Sequence, residues 1–276
     1  MSKDIYWIAE IGSNHNQSMK RALALIDRAK GVGASAVKFQ CFKAEKLYAP
    51  QHEGHINAMR QRELDLNVIP ELSQCALRHD IDFGISVFHV EDVELLAPYV
   101  DFLKIASYEA TNLELIRACY ETGKRIIIST GAISSKDTIE INEIDRAGRI
   151  KFLHCVSKYP AMPNECNLRL IEASYCLNGW SDHTCQPGVI HKAIGLGAEI
   201  IEFHFDLYDE LGVESIHGHC WTPEKIAEVI KNVRIGQQVV GTSDWNVIEK
   251  VQEEARQWRA DPETGLRGLN MVYIIA

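Results

Sequence analysis

Eight short apolar segments, rich in valine, isoleucine and phenylalanine, alternate along this chain with amphipathic segments of helical spacing. The predicted strands are Tyr6–Ile11, Ala36–Gln40, Asp82–Val87, Phe102–Ala106, Arg125–Ser129, Ile150–Cys155, Leu177–Ser181 and Glu199–His204. Eight strand–helix units in succession favour a parallel sheet that closes into a barrel. We therefore predict the α/β class, with a TIM (β/α)8 barrel forming a single domain over residues 1–240. A doubly wound open sheet is the main alternative.

The last part of the chain, residues 241–276, shows a separate helical pattern. Within Val247–Arg259, apolar residues recur at helical spacing and include Trp258. We expect a C-terminal helical extension whose apolar face packs on the barrel or on a partner subunit. The sequence does not distinguish these two arrangements, and a homodimer is therefore possible.

Composition narrows the class of partner. The chain has 276 residues, 46% of them hydrophobic and 24% charged, which is typical of a globular protein. Its net charge of −9 argues against nucleic acid, because phosphate contacts need clustered lysine and arginine. No run is long enough to cross a bilayer, and the start of the chain lacks the pattern of a signal peptide. The eight cysteines form no C-x-x-C pair, so we expect a reduced, cytoplasmic protein.

Two histidines stand at the ends of two successive predicted strands. His183 lies in Gly179-Trp180-Ser181-Asp182-His183-Thr184, and His204 lies in Ile200-Ile201-Glu202-Phe203-His204-Phe205. In a parallel barrel the carboxyl ends of the strands converge on one face, where ligands bind. The pair therefore predicts a shared divalent-metal site. A tighter group, His217, His219 and Cys220, is a minor alternative for metal binding, since a short polar loop also explains it.

Lysines and glutamates occur near other strand ends. Lys38 and Lys104 lie inside apolar strands, where an ammonium group is costly to bury unless an anion faces it. We interpret both lysines as ligand-facing, and nearby hydroxyls would complete a phosphate or carboxylate cradle. Glu10 and Glu109 are candidates for proton transfer or for holding a water molecule. The alternative is that each glutamate forms a structural salt bridge with a lysine.

These segments also occur as an ordered set. They are Ala9-Glu10-Ile11-Gly12-Ser13-Asn14-His15-Asn16, Lys38-Phe39-Gln40, Lys104-Ile105-Ala106-Ser107, Ser129-Thr130-Gly131, Leu153-His154-Cys155, Tyr159-Pro160, Ser181-Asp182-His183-Thr184 and Glu202-Phe203-His204-Phe205. In this order, from about Ile8 to Leu269, the set resembles the sialic acid synthase family. The resemblance implies a TIM-barrel transferase that condenses phosphoenolpyruvate with an aldose, such as N-acetylmannosamine or a related hexose. The expected products are a nonulosonic acid and phosphate.

The resemblance also implies roles for individual residues. His183 and His204 would bind the divalent metal, Mn²⁺ first, with Mg²⁺ or Co²⁺ as alternatives. Glu10, Glu109 and Tyr159 would be the catalytic residues, with Tyr159 lining the sugar site. The substrate-binding residues would be Lys38, Gln40, Lys104, Ser107, Ser129, Ser157, Ser181 and Glu214.

The sequence departs from the family pattern in several places. Ser157 stands where the family usually has asparagine, and Phe203 replaces the usual lysine. Typical members continue into a C-terminal antifreeze-like domain, and the end of this chain at Ala276 predicts that this domain is lacking. These departures affect the expected sugar specificity more than the expected binding of phosphoenolpyruvate. A metal-dependent sugar aldolase or isomerase and a catalytically silent sugar-binding subunit are the alternatives to a synthase.

Overall fold

A computed structural model describes residues 4–207, 212–256 and 258–267. Its eight strands are β1 Tyr6–Gly12, β2 Ala36–Cys41, β3 Asp82–Val87, β4 Phe102–Ile105, β5 Arg125–Ser129, β6 Ile150–Cys155, β7 Leu177–Asp182 and β8 Ile200–His204. Neighbours in the chain pair in parallel, and β8 pairs with β1, so the sheet is closed. The predicted TIM barrel is thus confirmed, and every predicted strand end lies within one residue of the observed end.

Helices connect the strands. The described residues contain α1 Met19–Gly31, α2 Ala44–Leu47, α3 Glu53–Arg60, α4 Ile69–Arg78, α5 Val90–Leu96, α6 Leu113–Glu121, α7 Ser135–Ile144, α8 Arg169–Ala173, α9 Pro187–Gly195, α10 Pro223–Gln238, α11 Trp245–Val251 and α12 Glu253–Arg256. Local signals define several starts. The Ser18 side chain caps α1, Asn112 caps α6, and Ser134 forms a capping box with Asp137 at α7. No helix in the described ranges is long and apolar enough to span a bilayer.

The barrel interior has an apolar layer followed by a polar one. The apolar layer consists of Ile8, Ala36, Phe102, Ile127 and Leu153, all fully buried. Side chains two residues apart on a strand point to the same side. The residues two positions further along the same strands are Glu10, Lys38, Lys104, Ser129 and Cys155. The same alternation that fills the floor of the barrel therefore directs polar groups toward its carboxyl-end mouth.

Gly84 makes room for the largest member of the apolar layer. A Cβ atom at Gly84 would collide with the ring of Phe102, which pairs with it in the β3–β4 register. Only glycine lets that ring lie inside the barrel. Complete burial of such a side chain contributes about 1.5–3 kcal/mol, so this close approach stabilises the floor beneath the polar layer.

The chain divides into two compact units, with the boundary after Val233. The first contains the barrel, and α10 begins in it. The second, from Arg234, contains the end of α10 with α11 and α12. The predicted helix over Val247–Arg259 occurs as two shorter helices, and Trp258 follows them in a turn, half-buried. The packing of this extension on the barrel or on a partner stays a prediction.

Candidate active site

Strand register brings a carboxyl group, an amine and an imidazole side by side. Glu10 on β1 is level with Lys38 on β2 and with His204 on β8. All three side chains are almost completely buried. Because the register of a closed parallel barrel is set by its backbone ladder, these groups converge without help from any loop.

Lys38 is held by groups of three different strands. Its ammonium group forms an ion pair with Glu10, donates to Ser86 Oγ at 2.7 Å and lies 3.8 Å from Glu202 Oε2. Gln40 donates to the other oxygen of Glu10 at 2.8 Å. The alternative of a Glu–Lys ion pair is therefore realised at Glu10. Burial nevertheless raises the pKa of Glu10, with the charge of Lys38 acting in the opposite direction.

Lys104 forms the second cationic position. Its ammonium group donates to Ser129 Oγ at 2.7 Å and to the carbonyl oxygen of Ile105 at 2.9 Å. Burial lowers the pKa of Lys104, because its charged form has lost water. Ser107 Oγ, just beyond the end of β4, lies 3.1 Å from Cys155 Sγ at the end of β6. Within the part of the chain that the structure describes, polar contacts and no direct ion pair hold this amine.

Glu202 faces both lysines from β8. Ser181 Oγ donates to its Oε1 at 2.9 Å, and its Oε2 is buried without a hydrogen-bond partner among the described residues. Burial alone would raise the pKa of Glu202, but the charges of Lys104 and Lys38 outweigh that effect and hold it at about 2. Glu202 is thus an anionic counterpart of the two amines.

The hydrogen bonds of two histidines fix their tautomers. The Nδ1 atom of His183 lies 2.6 Å from the carbonyl oxygen of Val156, and Nδ1 of His204 lies 2.7 Å from Glu214 Oε2. A carbonyl or carboxylate oxygen only accepts, so each Nδ1 carries the proton. Neither Nε2 has a hydrogen-bond partner among the described residues. The ring centroids are 5.3 Å apart.

This donor set fits a divalent metal. Metal-binding imidazoles typically donate one ring N–H to a carbonyl or carboxylate and bind through the other nitrogen. Burial lowers the pKa of His183 to about 3, which keeps that ring neutral. At His204 burial acts in the same direction, but the hydrogen bond and charge of Glu214 raise its pKa overall. His183 and His204 would therefore hold the metal through Nε2.

Glu214 is fixed by groups at both of its oxygens. Besides binding His204, it accepts the Ser13 N–H at 2.6 Å, while its own N–H donates to Asn14 Oδ1 at 2.9 Å. Gly12 has a φ of 53°, and a Cβ atom there would collide with the Glu214 carboxylate. The β1 loop is therefore built around this carboxylate, which was predicted to bind substrate.

Tyr159 lies among the imidazoles. Its ring centroid is 4.3 Å from that of His183, 4.9 Å from His219 and 5.8 Å from His204. The residue remains 42% exposed, so an incoming molecule can reach it. The position of Tyr159 in the sugar site stays a prediction.

Glu109 and Ser157 contribute buried atoms with open hydrogen-bonding capacity. Glu109 Oε2 and Ser157 Oγ are both buried without a partner among the residues that the structure describes. Burial raises the pKa of Glu109, although its own backbone and Lys104 act in the opposite direction. Unlike Glu10, Glu109 forms no ion pair with a lysine among the described residues, so the predicted salt-bridge alternative is not observed there.

The loop that carries His183 is anchored by a fully buried carboxylate. Asp182 accepts both indole N–H groups of Trp180 and Trp221 at 3.0 Å, and the Thr184 hydroxyl at 2.8 Å. A buried carboxylate is tolerated only when its lone pairs are used in this way. Asp182 therefore orients the segment from which His183 projects.

The predicted residues fall into three groups in the structure. The polar layer contains Glu10, Lys38, Lys104 and Ser129. Gln40 is hydrogen-bonded to Glu10 of this layer, and Ser181 is hydrogen-bonded to Glu202, which faces it. His183, His204, Glu214 and Tyr159 form the imidazole cluster. Ser107, Glu109 and Ser157 lie at or just beyond the ends of β4 and β6. Two residues that now belong to the site, Ser86 and Glu202, were not predicted. His219 was only part of a minor alternative.

Comparison with known proteins decides the family. A model described as the NeuB family matches residues 25–244, which is most of the barrel. The chain belongs to the NeuB family. An N,N'-diacetyllegionaminic acid synthase of Campylobacter jejuni is 32% identical over 257 residues, covering 85% of this chain and 77% of the relative. The N-acetylneuraminate-9-phosphate synthase of Mus musculus is 29% identical, covering 85% and 71% respectively.

A solved structure supports the same assignment for this NeuB family member. The N-acetylneuraminic acid synthetase of Leptospira borgpetersenii, crystallised with citrate, matches with a TM-score of 0.83 at 27% identity and covers 92% of both chains. The predicted resemblance to sialic acid synthases is confirmed, and so is the assignment as an enzyme of the transferase class.

Proposed function

We propose that this NeuB family enzyme condenses phosphoenolpyruvate with an aldose in a metal-dependent reaction, giving a nonulosonic acid and phosphate. One observation carries the proposal. Two buried lysine amines, Lys38 and Lys104, lie in the polar layer, and His204, which is level with Glu10 of that layer, forms with His183 an imidazole pair whose Nε2 atoms are unpaired among the described residues. A synthase of this type needs both an anion cradle and a metal site, whereas a sugar isomerase needs no cradle.

The lysines suit the anionic groups of phosphoenolpyruvate. Lys104 donates to a hydroxyl and a carbonyl, so its ammonium charge is offset only by more distant carboxylates such as Glu202. A buried cation of this kind is stabilised by an incoming phosphate or carboxylate. Ser129, which already binds Lys104, would donate to the same group. This cradle would hold the phosphate as its bond to carbon breaks.

His183 and His204 would hold the metal, with Mn²⁺ expected first and Mg²⁺ or Co²⁺ as alternatives. A bound divalent ion supplies Lewis-acid polarisation of a carbonyl oxygen. The protein supplies orientation, since Val156 and Glu214 fix both rings. Tyr159, packed against both imidazoles, would line the aldose side of the site.

Proton transfers fall to the carboxyl groups. The methylene carbon of phosphoenolpyruvate would form a bond to the aldehyde carbon, and the aldehyde oxygen would take up a proton. Water would then add to the former enol carbon and lose one proton to a carboxylate. Cleavage of the C–O bond would release phosphate, which takes up the remaining hydroxyl proton, and leave the keto acid. Burial raises the pKa of both Glu10 and Glu109, which suits groups that alternate between donor and acceptor. Glu10 would transfer protons within the polar layer, and Glu109 would do so beside the loop after β4.

Phosphate release over a panel of aldoses tests the proposal. The wild-type enzyme with Mn²⁺ should release phosphate only when phosphoenolpyruvate and one aldose are both present. Including sugars with and without an N-acetyl group identifies the substrate class. Turnover of an aldose without phosphoenolpyruvate would contradict the proposal in favour of an aldolase or isomerase. Binding of both substrates without turnover of any aldose would favour a silent subunit.

A matched pair of histidine variants tests metal dependence. His183→Gln should abolish metal-dependent phosphate release because it removes a ligand. His191→Gln, an exposed position on α9, controls for loss of an imidazole. Equal activity of His183→Gln and the control would remove the metal assignment.

A further inference from the structure

His219 is a buried imidazole that the proposed reaction does not use. Only 3% of its surface is exposed, and its Nδ1 atom is buried without a hydrogen-bond partner among the described residues. A buried polar nitrogen left unpaired costs about 1–3 kcal/mol. Such an atom in a native protein therefore calls for an additional partner, such as a water molecule or an ion.

The neighbours of His219 carry side chains of the types that can bind a metal. One ligand atom each of His204, Glu214, His219 and Cys220 can be chosen so that all four lie within 4.8 Å of one another. The rings of His219 and His204 are 4.6 Å apart, and Nε2 of His219 is 4.0 Å from Glu214 Oε2. The same Tyr159 ring contacts the imidazoles of His183, His204 and His219.

Backbone pairing keeps His219 at the end of β8. The N–H of Trp221 donates to the carbonyl oxygen of His204 at 2.8 Å, and Asp206 N–H donates to the carbonyl oxygen of Trp221 at 3.0 Å. The Trp221 indole is itself held by Asp182. The segment is thus joined to the two strands that carry His183 and His204, and a ligand on it is pre-positioned.

We propose that His219 is a third imidazole ligand of the metal bound by His183 and His204. The inference rests on the metal site of the proposed function and extends it. A site with three histidines has more nitrogen donors than one with two, and imidazole is preferred by Co²⁺ and Zn²⁺ more than by Mg²⁺. The enzyme should therefore bind Co²⁺ much more tightly than Mg²⁺.

Metal titration without either substrate tests the inference. Calorimetry compares Co²⁺ binding to the wild-type enzyme, His219→Gln and His217→Gln, whose exposed histidine two residues earlier controls for loss of a nearby imidazole. We expect His219→Gln to weaken Co²⁺ binding by about tenfold or more and His217→Gln to leave it unchanged. Unchanged Co²⁺ affinity in His219→Gln would overturn the inference. This holds even if the variant shows a higher KM for the aldose, because that result would indicate a role in sugar binding alone.

A second measurement uses the unaltered enzyme, in case His219→Gln does not fold. Pulsed electron paramagnetic resonance of the Mn²⁺-loaded wild type counts coordinated imidazole nitrogens. Three imidazoles support the inference, and two contradict it. Weakened Co²⁺ binding in His219→Gln together with no turnover of any aldose by the wild type would retain the inference and contradict the proposed function.

Discussion

Glu214 accepts a hydrogen bond from Nδ1 of His204 at 2.7 Å, although the two residues come from a loop and a strand end. This contact assigns Nδ1 as the protonated atom and leaves Nε2 for a metal. The substrate-binding role of Glu214 stays a prediction. Its hydrogen bond fixes the orientation of the imidazole, and the carboxylate is held in turn by Ser13 and by the space that Gly12 leaves.

Replacing Glu214 tests this positioning role. Glu214→Gln keeps the shape of the side chain but removes the charge that orients His204. We expect metal affinity to fall about 10–100-fold, measured by calorimetry with Mn²⁺. Glu224→Gln, at an exposed position on α10, is the control. Equal affinities in the two variants would show that the contact does not support metal binding.

Replacing Lys104 tests the anion cradle. Lys104→Met preserves much of the buried aliphatic part of the side chain but removes the ammonium group that donates to Ser129. The KM for phosphoenolpyruvate should rise at least about tenfold, corresponding to about 1.4 kcal/mol, while the KM for the aldose changes less. Lys136→Met, on the exposed side of α7, is the matched control. A larger effect on the aldose would count against the cradle.

The pH dependence of stability tests the environment of Glu109. Burial raises its pKa above the ordinary value of 4.5, so the folded protein retains a proton that the unfolded chain has lost. Its contribution to the free energy of unfolding therefore falls as pH rises from 4.5 through the raised pKa. In Glu109→Gln this loss is absent.

The difference between variant and wild type isolates that single group. Urea titrations at a series of pH values give the free energy of unfolding of Glu109→Gln and of the wild type. The value for Glu109→Gln minus that for the wild type should increase with pH across this window and then level off. Glu114→Gln, an exposed position on α6, controls for loss of a carboxylate. A difference that stays constant or decreases with pH would contradict the assignment.

Asp182 should be a determinant of stability. Asp182→Asn replaces one accepting oxygen with an NH2 group, so an indole N–H of Trp180 or Trp221 loses its acceptor. We expect the free energy of unfolding to fall by about 1–3 kcal/mol. Asp27→Asn, exposed on α1, is the control. If both variants unfold at the same urea concentration, the buried carboxylate has no such role.

The barrel and its polar layer were predictable because both follow from strand periodicity. Lys38 and Lys104 stand out as cations inside apolar strands, and the structure places each beside hydroxyls. The same periodicity could also have identified Glu202. It lies two residues before His204 on β8 and therefore points to the same side of the sheet.

The loop contributions could not be derived in this way. Glu214 reaches His204 because the loop after β8 is tied down by Asp206, which pairs with Arg21 on α1 and accepts the N–H of Gly212 at 2.8 Å. Arg21 lies far from Asp206 in the chain, and no local sequence pattern connects them. His219 depends on the same tertiary contacts, so its proximity to His204 is visible only in the folded protein.

The fate of the bridging oxygen of phosphoenolpyruvate tests the central claim most directly. The enzyme would be supplied with a metal, an accepted aldose and phosphoenolpyruvate labelled with oxygen-18 between carbon and phosphorus, and both products analysed by mass spectrometry. Condensation with C–O cleavage predicts that the label leaves entirely in phosphate and that the new keto oxygen comes from water. Label retained in the sugar acid, or phosphate formed without any carbon–carbon bond to the aldose, would contradict the account.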